Sequence, residues 1–192
     1  NYCNRGPAAI FPVYGPADEQ GERALMAIQG RFLTPADGQP KAMTLGKSSL
    51  GVFGTPGALW QDEVFVCEAP IDALSLAECG FPALALIGTN FPAWLPAECA
   101  GKRVLIATDA DDAGEKGAGK LCDALAALGT IPERLKPHGA KDWNEFLQRA
   151  GQAKMTEAII RAAFPHRMPV ATQKPGESTF PYPITAQEGQ DT

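Results

Sequence analysis

Short strand-like runs alternate with helix-like segments between residues 63 and 150, and this alternation restricts the possible folds more than any other feature. The four runs are VFVC (64–67), ALALI (83–87), RVLIA (103–107) and TIPERLK (130–136). Two of the helix-like segments, IDALSLAECG (71–80) and AGKLCDALAALG (118–129), end at a glycine. Strands that alternate with helices usually form one parallel sheet. The sequence therefore predicts an α/β fold with about four parallel strands flanked by helices.

The regions on either side of this segment have a different character. Residues 1–62 contain short β-like pieces between turn-rich stretches such as TPADGQP (34–40), which predicts a small mixed α+β lobe before the main domain at 63–150. A C-terminal helix is predicted for residues 151–164. Residues 165–192 are rich in Pro, Thr, Gln and Gly and have little apolar periodicity, so we predict an extended or disordered tail.

The composition argues against a membrane, secreted or zinc-binding protein. No apolar run approaches the ~18 residues needed to cross a bilayer, and the opening stretch NYCNRGPAAI lacks the pattern of a signal peptide. The five cysteines form no C-x-x-C pair, and none lies at metal-ligand spacing from a histidine. We therefore expect a cytoplasmic protein with no membrane partner and no zinc in this chain.

The negative charge of the chain is concentrated in its middle. The formal net charge is −5, and residues 63–150 carry thirteen acidic and eight basic side chains, whereas the two flanking regions are neutral. A basic nucleic-acid-binding face is therefore not visible from the charge balance. An acidic region can still act on phosphates when metal ions lie between the two.

Acidic residues directly follow two of the predicted strands. Glu68 comes after VFVC, and Asp109 and Asp111 come after RVLIA. Because ligands of open parallel sheets bind outside the carboxyl ends of the strands, we expect these acids to lie close together. Alternation along an extended segment directs Asp109 and Asp111 to the same side. Clustered carboxylates repel one another unless a cation intervenes, and an all-oxygen ligand set favours Mg²⁺.

Structural roles are the alternative for several of these side chains. The acids could be solvated loop residues or helix caps, and one of these two structural roles is what we expect for Asp112. Three tryptophans could stack on nucleic-acid bases, but we expect half-buried packing for each of them: Trp60, Trp94 and Trp143.

The two acidic strand ends resemble the TOPRIM domain, the catalytic module of bacterial-type primases, type IA and type II topoisomerases and several nucleases. The similarity lies in VFVCEAPIDALSL (64–76) and VLIATDADDAG (104–114). The family's glutamate falls on Glu68, and its D-x-D pair falls on Asp109 and Asp111. The resemblance implies a Rossmann-like TOPRIM fold in which these three acids are catalytic and bind metal. Asp72, which opens the following helix as in primases, is expected on the nucleotide-binding side.

Further segments resemble primases of phages, plasmids and mobile elements. KDWNEFL (141–147) is similar to a lysine-led acidic turn, which implies that Asp142 is a further metal ligand and that Lys141 faces nucleotide. GERALMAIQGRFL (21–33) and PKAMTLGKSSLGVFG (40–54) are similar to the small lobe that precedes TOPRIM in primases. This similarity implies that three basic residues face template or incoming nucleotide: Arg31, Lys41 and Lys47.

The resemblance implies RNA-primer synthesis on single-stranded DNA by a DNA-directed RNA polymerase core. Mg²⁺, or Mn²⁺ in its place, would bind the nucleoside triphosphate at the acids, with Glu68 either as a ligand or as a general base. The implied partners are the single-stranded template, nucleoside triphosphates and, outside this chain, a replicative helicase or a zinc-ribbon domain. Two alternatives stay open: a metal-dependent TOPRIM nuclease, and a non-catalytic TOPRIM module that binds nucleic acid.

Overall fold

A computed structural model describes residues 6–167 of the 192-residue chain. This part of the chain begins with a small antiparallel sheet. Its strands are β1 (Ala8–Ala17), β2 (Arg23–Phe32) and β3 (Ala42–Gly46). They pair in the order β1-β2-β3. Phe11 and Val13 alternate with exposed residues along β1, so one face of this sheet is buried and the other is open to solvent.

The central sheet has five strands, of which four are parallel. The strands are β4 (Phe53–Gly54), β5 (Glu63–Cys67), β6 (Ala83–Ala85), β7 (Arg103–Ile106) and β8 (Glu133–Arg134). Their order is β4-β6-β5-β7-β8, and only β4 runs antiparallel to its neighbour. The predicted α/β fold with about four parallel strands is confirmed.

Helices cover both faces of the central sheet. They are α1 (Pro70–Glu78), α2 (Leu95–Glu98), α3 (Asp112–Ala126), α4 (Trp143–Ala150) and α5 (Gln152–Ala163). Phe65 and Cys67 of β5 face one buried cluster, which α1, α4 and α5 complete, while Val64 and Val66 face another, which α2 and α3 complete. The near-continuous apolar sequence of β5 is what a strand buried on both faces requires.

Two elements differ in extent from their sequence predictions. The helix predicted for residues 118–129 begins earlier, at Asp112, because an aspartate side chain caps its first turn. The strand predicted for 130–136 is reduced to Glu133–Arg134, since Pro132 has no N–H for the ladder. Both differences lie where polar or proline residues, and not apolar periodicity, decide the boundary.

The small sheet is joined to the central sheet through β4. Tyr14 of β1 forms a bridge with Val52, and the rings of Phe11 and Phe53 meet edge to face at 5.3 Å. Strand β4 therefore belongs to the central sheet although it lies within residues 1–62. No helix in the described range is long and apolar enough to cross a membrane. Pro165–Arg167 form a short 3-10 turn, and the rest of the predicted tail lies outside the described residues.

Candidate active site

Glu68 and Asp109 meet at the carboxyl edge of the central sheet. Glu68 directly follows β5, and Asp109 lies three residues beyond the end of β7. These two strands are parallel, hydrogen-bonded neighbours, so both residues emerge on the same edge. The backbone N–H of Asp109 donates to Glu68 Oε1 at 3.2 Å. The two strand ends thus converge as the sequence predicts.

Gly114, in the first turn of α3, allows this close approach. A Cβ at this position would lie 2.7 Å from Glu68 Oε1, closer than side-chain carbons approach other heavy atoms, and would also collide with the Asp109 carbonyl. Only glycine leaves the space that the Glu68 carboxylate occupies. The sequence signal for this residue is a glycine in the first turn of a helix directly after an acidic turn, and its role was not predicted.

Asp111 caps helix α3. Its carboxylate accepts a hydrogen bond from the Gly114 N–H at 2.9 Å, and this hydrogen bond is the main reason that its pKa is lowered. The Lys141 ammonium lies 3.6 Å from Asp111 Oδ2. Asp112, for which a solvated position or a cap is predicted, does not cap the helix: it is the first residue of α3 and is exposed.

The segment before α4 closes the other side of the site. Asp142 caps α4 by accepting from the Glu145 N–H at 2.7 Å. The carbonyl of Lys141 accepts from the Ala110 N–H at 2.9 Å, so the two acidic turns are joined through their backbones. Trp143 is 1% exposed, and its indole N–H donates to the Ala107 carbonyl at 2.7 Å. Trp143 is therefore fully buried and not half-buried, and it fixes the start of α4 to the end of β7.

Asp72 lies beneath these turns and not at the surface. It is 3% exposed, and its carboxylate accepts from the Asn144 N–H at 3.0 Å, which ties α1 to α4. Burial raises the pKa of Asp72 to about 7, and the negative charges of Asp142 and Asp109 contribute to that rise.

Burial and neighbouring negative charges disfavour the ionised forms of Glu68 and Asp109. Burial raises the pKa of Glu68, and the negative charge of Asp109 raises it further. Burial is also the largest cause that raises the pKa of Asp109, followed by the charge of Asp142. Asp109 Oδ1 is buried and has no hydrogen-bond partner within residues 6–167. An unpartnered carboxylate oxygen costs at least about 1 to 3 kcal/mol, and a bound cation would remove that cost.

The donor set fits a hard divalent cation held by few protein ligands. Across residues 6–167, no three His, Cys, Asp or Glu side chains are grouped as a ready metal site. Asp111 and Asp142 each cap a helix with one carboxylate oxygen, whereas Glu68 and Asp109 cap no helix. Mg²⁺ is usually bound by one or two carboxylates together with waters and substrate phosphates. Glu68 and Asp109 could hold such an ion without a complete protein cage.

The predicted basic residues belong to the small sheet and not to the central sheet that carries the acids. Arg31 is half-buried in β2 opposite Ala9 and Ala42, and Lys41 directly precedes β3 near it. Lys47 follows β3 at the other end, about 20 Å from Lys41 along the strand. In the described structure none of the three side chains forms an ion pair with Glu68 or with the aspartates. The acids therefore lie at the edge of the central sheet, and these cations lie on the small sheet.

Comparisons with known proteins agree with this architecture. Residues 65–147 match a family model described as Toprim-like. The zinc-binding and RNA polymerase domains of Aquifex aeolicus primase share 21% identity and a TM-score of 0.57, over 78% of this chain and 39% of that one. The RNA polymerase domain of Mycobacterium tuberculosis primase DnaG shares 21% identity and a TM-score of 0.59, over 80% of this chain and 55% of that one.

The same mycobacterial domain, solved in complex with double-stranded DNA, matches with a TM-score of 0.59 and 21% identity, over 80% of this chain and 53% of that one. No curated protein sequence matches this chain. The chain spans 39% to 55% of the length of these primase structures. Residues 65–147 are thus similar to Toprim-like domains, and the chain has the fold of bacterial primase RNA polymerase domains.

Proposed function

We propose that this chain is a primase-like nucleotidyltransferase core that joins ribonucleotides into RNA primers on single-stranded DNA with the help of Mg²⁺. The observation that supports it most is the convergence of Glu68 and Asp109, with a buried and unpartnered oxygen on Asp109, at the carboxyl edge of a primase-type TOPRIM sheet. The carboxyl edge is where open parallel sheets bind their ligands.

The chain's own residues have distinct tasks in this proposal. Asp109 and Glu68 would hold the cation, whose charge would help to bind the triphosphate and to stabilise the attacking and leaving oxygens. Glu68 can instead accept the proton of the attacking hydroxyl, since its raised pKa makes it a stronger base than an exposed glutamate. Asp111 and Asp142 add negative charge from their capping positions, and Lys141, whose ammonium lies beside Asp111, would contact phosphate.

Template binding is the weaker part of the proposed activity. Arg31, Lys41 and Lys47 are few and separate, so the chain should bind single-stranded DNA weakly and lose binding as salt rises. A zinc-ribbon domain or a replicative helicase outside this chain would supply the remaining affinity. This reaction belongs to the cytoplasm, and primases of phages, plasmids and mobile elements are the systems that we expect to use such a core.

The deciding experiment incubates the full chain with single-stranded DNA, labelled ribonucleotides and Mg²⁺ or Mn²⁺. New labelled oligonucleotides support the proposal, whereas shortened DNA would indicate a nuclease. The double variant Asp109→Ala/Asp111→Ala should lose at least about 100-fold of the primer synthesis while it stays folded by circular dichroism. Asp123→Ala, at an exposed position of α3, is the control and should keep full activity.

Calorimetric titration with Mg²⁺ keeps the metal site testable even if the isolated chain is a slow polymerase. The unaltered chain should bind the ion, and the double variant should not. Equal binding of Mg²⁺ by both proteins, or equal primer synthesis, would refute the assignment of these acids.

A further inference from the structure

The side chain of Arg134, in β8, forms hydrogen bonds with the backbone segment that leads to Asp109. Its guanidinium donates to the carbonyl oxygens of Ile106 at 2.9 Å, Thr108 at 3.0 Å and Asp109 at 3.0 Å. The same group forms a salt bridge with Glu115 of α3 at 2.6 Å. The side chain is only 19% exposed, so these hydrogen bonds are largely shielded from water. One side chain thus contacts three successive parts of the site: the end of β7, the acidic turn and the first turns of α3.

The hydrogen bonds from Arg134 replace β-sheet pairing beyond the end of β8. Strand β8 pairs with β7 only at two positions, Leu105 with Glu133 and Ile106 with Arg134. Beyond them, the carbonyls of Thr108 and Asp109 have no strand to donate to them, and buried carbonyls need a donor. The planar guanidinium presents several N–H donors in a fixed arrangement, and it satisfies both carbonyls from one side chain.

We propose that Arg134 is a positioning residue for Asp109, and that it sets the affinity of the site for a divalent cation through the backbone of the acidic turn. The inference rests on the proposed function, because it takes Asp109 as the ligand of the cation. The Asp109 peptide is held on both sides, by Glu68 at its N–H and by Arg134 at its carbonyl. Its carboxylate is thereby directed without contacting the arginine.

A positioning role and a purely electrostatic role of Arg134 predict opposite changes in Mg²⁺ affinity when this residue is replaced. A guanidinium is a positive charge near a cation site, so its removal should strengthen Mg²⁺ binding if charge alone mattered. If Arg134 acts by holding the acidic turn, its removal should weaken binding. Residues that orient metal ligands typically change metal affinity by about 10- to 100-fold when they are replaced. The sign of the change therefore separates the two explanations.

Lysine at the same position adds a second test. Arg134→Lys keeps the positive charge but cannot satisfy several carbonyls with a planar fork. We expect Arg134→Gln and Arg134→Lys each to weaken Mg²⁺ binding by at least about tenfold in calorimetric titrations of the full chain. Full affinity in Arg134→Lys would show that the planar guanidinium is not required for the position of the acidic turn.

Arg103→Gln is the matched control. Arg103 also bonds a glutamate, Glu133 at 2.6 and 2.7 Å, and a backbone carbonyl, that of Ala163, but it lies at the opposite end of β7. Its replacement should lower the melting temperature and leave Mg²⁺ affinity unchanged. Arg134→Lys, the milder variant, keeps the inference testable if Arg134→Gln unfolds.

Two failures can be told apart. If the unaltered chain binds Mg²⁺ and Asp109→Asn does not, then unchanged or tighter binding by a folded Arg134→Gln or Arg134→Lys would overturn this inference alone. If the unaltered chain does not bind Mg²⁺, or Asp109→Asn binds it equally well, the proposed function fails and this inference fails with it.

Discussion

The acidic edge of the central sheet and the basic residues of the small sheet differ in how the fold holds them. At the acidic edge, Glu68, Asp111 and Asp142 each accept a hydrogen bond from a backbone N–H, and the turns that carry them are joined to one another. On the small sheet, Lys41 and Lys47 are exposed and lie at opposite ends of one strand. Hydrogen bonds fix the geometry of the acidic edge, whereas the lysines of the small sheet contribute only positive charge.

The difference teaches where sequence changes should matter. The position of a carboxylate in a packed turn is sensitive to displacements of a few tenths of an ångström, because its neighbours are backbone atoms that cannot move aside. An exposed lysine acts over a distance comparable to the Debye length, about 10 Å at 0.1 M salt, and tolerates shifts of its position. Small steric changes should therefore disable the acidic edge, whereas even charge deletions on the small sheet should be mild.

The sharpest steric test of the acidic edge is Gly114→Ala. The added methyl would collide with Glu68 and with the backbone of Asp109, so we expect a loss of about 2 to 3 kcal/mol of unfolding free energy and weaker Mg²⁺ binding. Urea unfolding monitored by circular dichroism and calorimetric titration with Mg²⁺ measure the two effects.

Gly119→Ala on the same helix is the control, because a methyl there meets nothing within 4 Å. It should stabilise the chain by about 0.5 to 1 kcal/mol through helix propensity. If Gly114→Ala behaved like this control, the acidic edge would be no more tightly packed than an exposed helix face. The difference in packing between the acidic edge and the small sheet would then be refuted.

The pH dependence of stability tests the burial of Asp72. In the folded chain Asp72 keeps its proton up to a pH of about 7, whereas an unfolded aspartate loses it near pH 4. The folded state therefore binds more protons in this window, so the stability of the unaltered chain should fall as pH rises from about 4 to about 7. Asp72→Asn, which has no proton to lose, should be about 2 to 4 kcal/mol more stable than the unaltered chain at pH 8 and nearly equal to it at pH 4.

Urea unfolding in the presence of EDTA measures this difference without a contribution from bound metal. Asp123→Asn, the same substitution at an exposed position of α3, is the control for the substitution itself. A pH-independent difference for Asp72→Asn would mean that the aspartate is already charged in the folded chain, contrary to its burial.

The smallest effects are expected on the small sheet. Lys41→Ala and Lys47→Ala should each weaken binding of single-stranded DNA by about two- to fivefold, and should lower the slope of log affinity against log salt by about 0.7 for each lost phosphate contact. Fluorescence anisotropy of a labelled oligonucleotide across a salt series measures both quantities.

Lys120→Ala removes an exposed lysine of α3 and should change neither quantity. If either variant of the small sheet lost binding by 100-fold or more, its lysine would be part of a fixed contact, and the distinction between the two regions would need revision.

Much of the site could be predicted from the sequence, because its main signal is local. The acids follow directly after apolar strands, and parallel strands deliver their carboxyl ends to one edge, so the meeting of Glu68 with Asp109 needed no knowledge of loop geometry. The sequence predicts a solvated position or a cap for Asp112, but it does not single out Asp111 as the cap. Asp111 precedes the helix and Asp112 is its first residue, and only the backbone angles of the turn decide which one lies at the cap.

The sequence by itself determined the order of strands and helices, the two-sided burial of β5 and the edge at which the acids emerge, since these follow from apolar periodicity and from the polarity of parallel strands. Only the tertiary structure decided that Trp143, Gly114 and Arg134 serve this edge. Their contacts join residues far apart in the chain, 36 positions in the case of Trp143 with Ala107. Such contacts depend on side-chain reach and on which carbonyls the sheet leaves without a donor, and neither can be read from spacing along the chain.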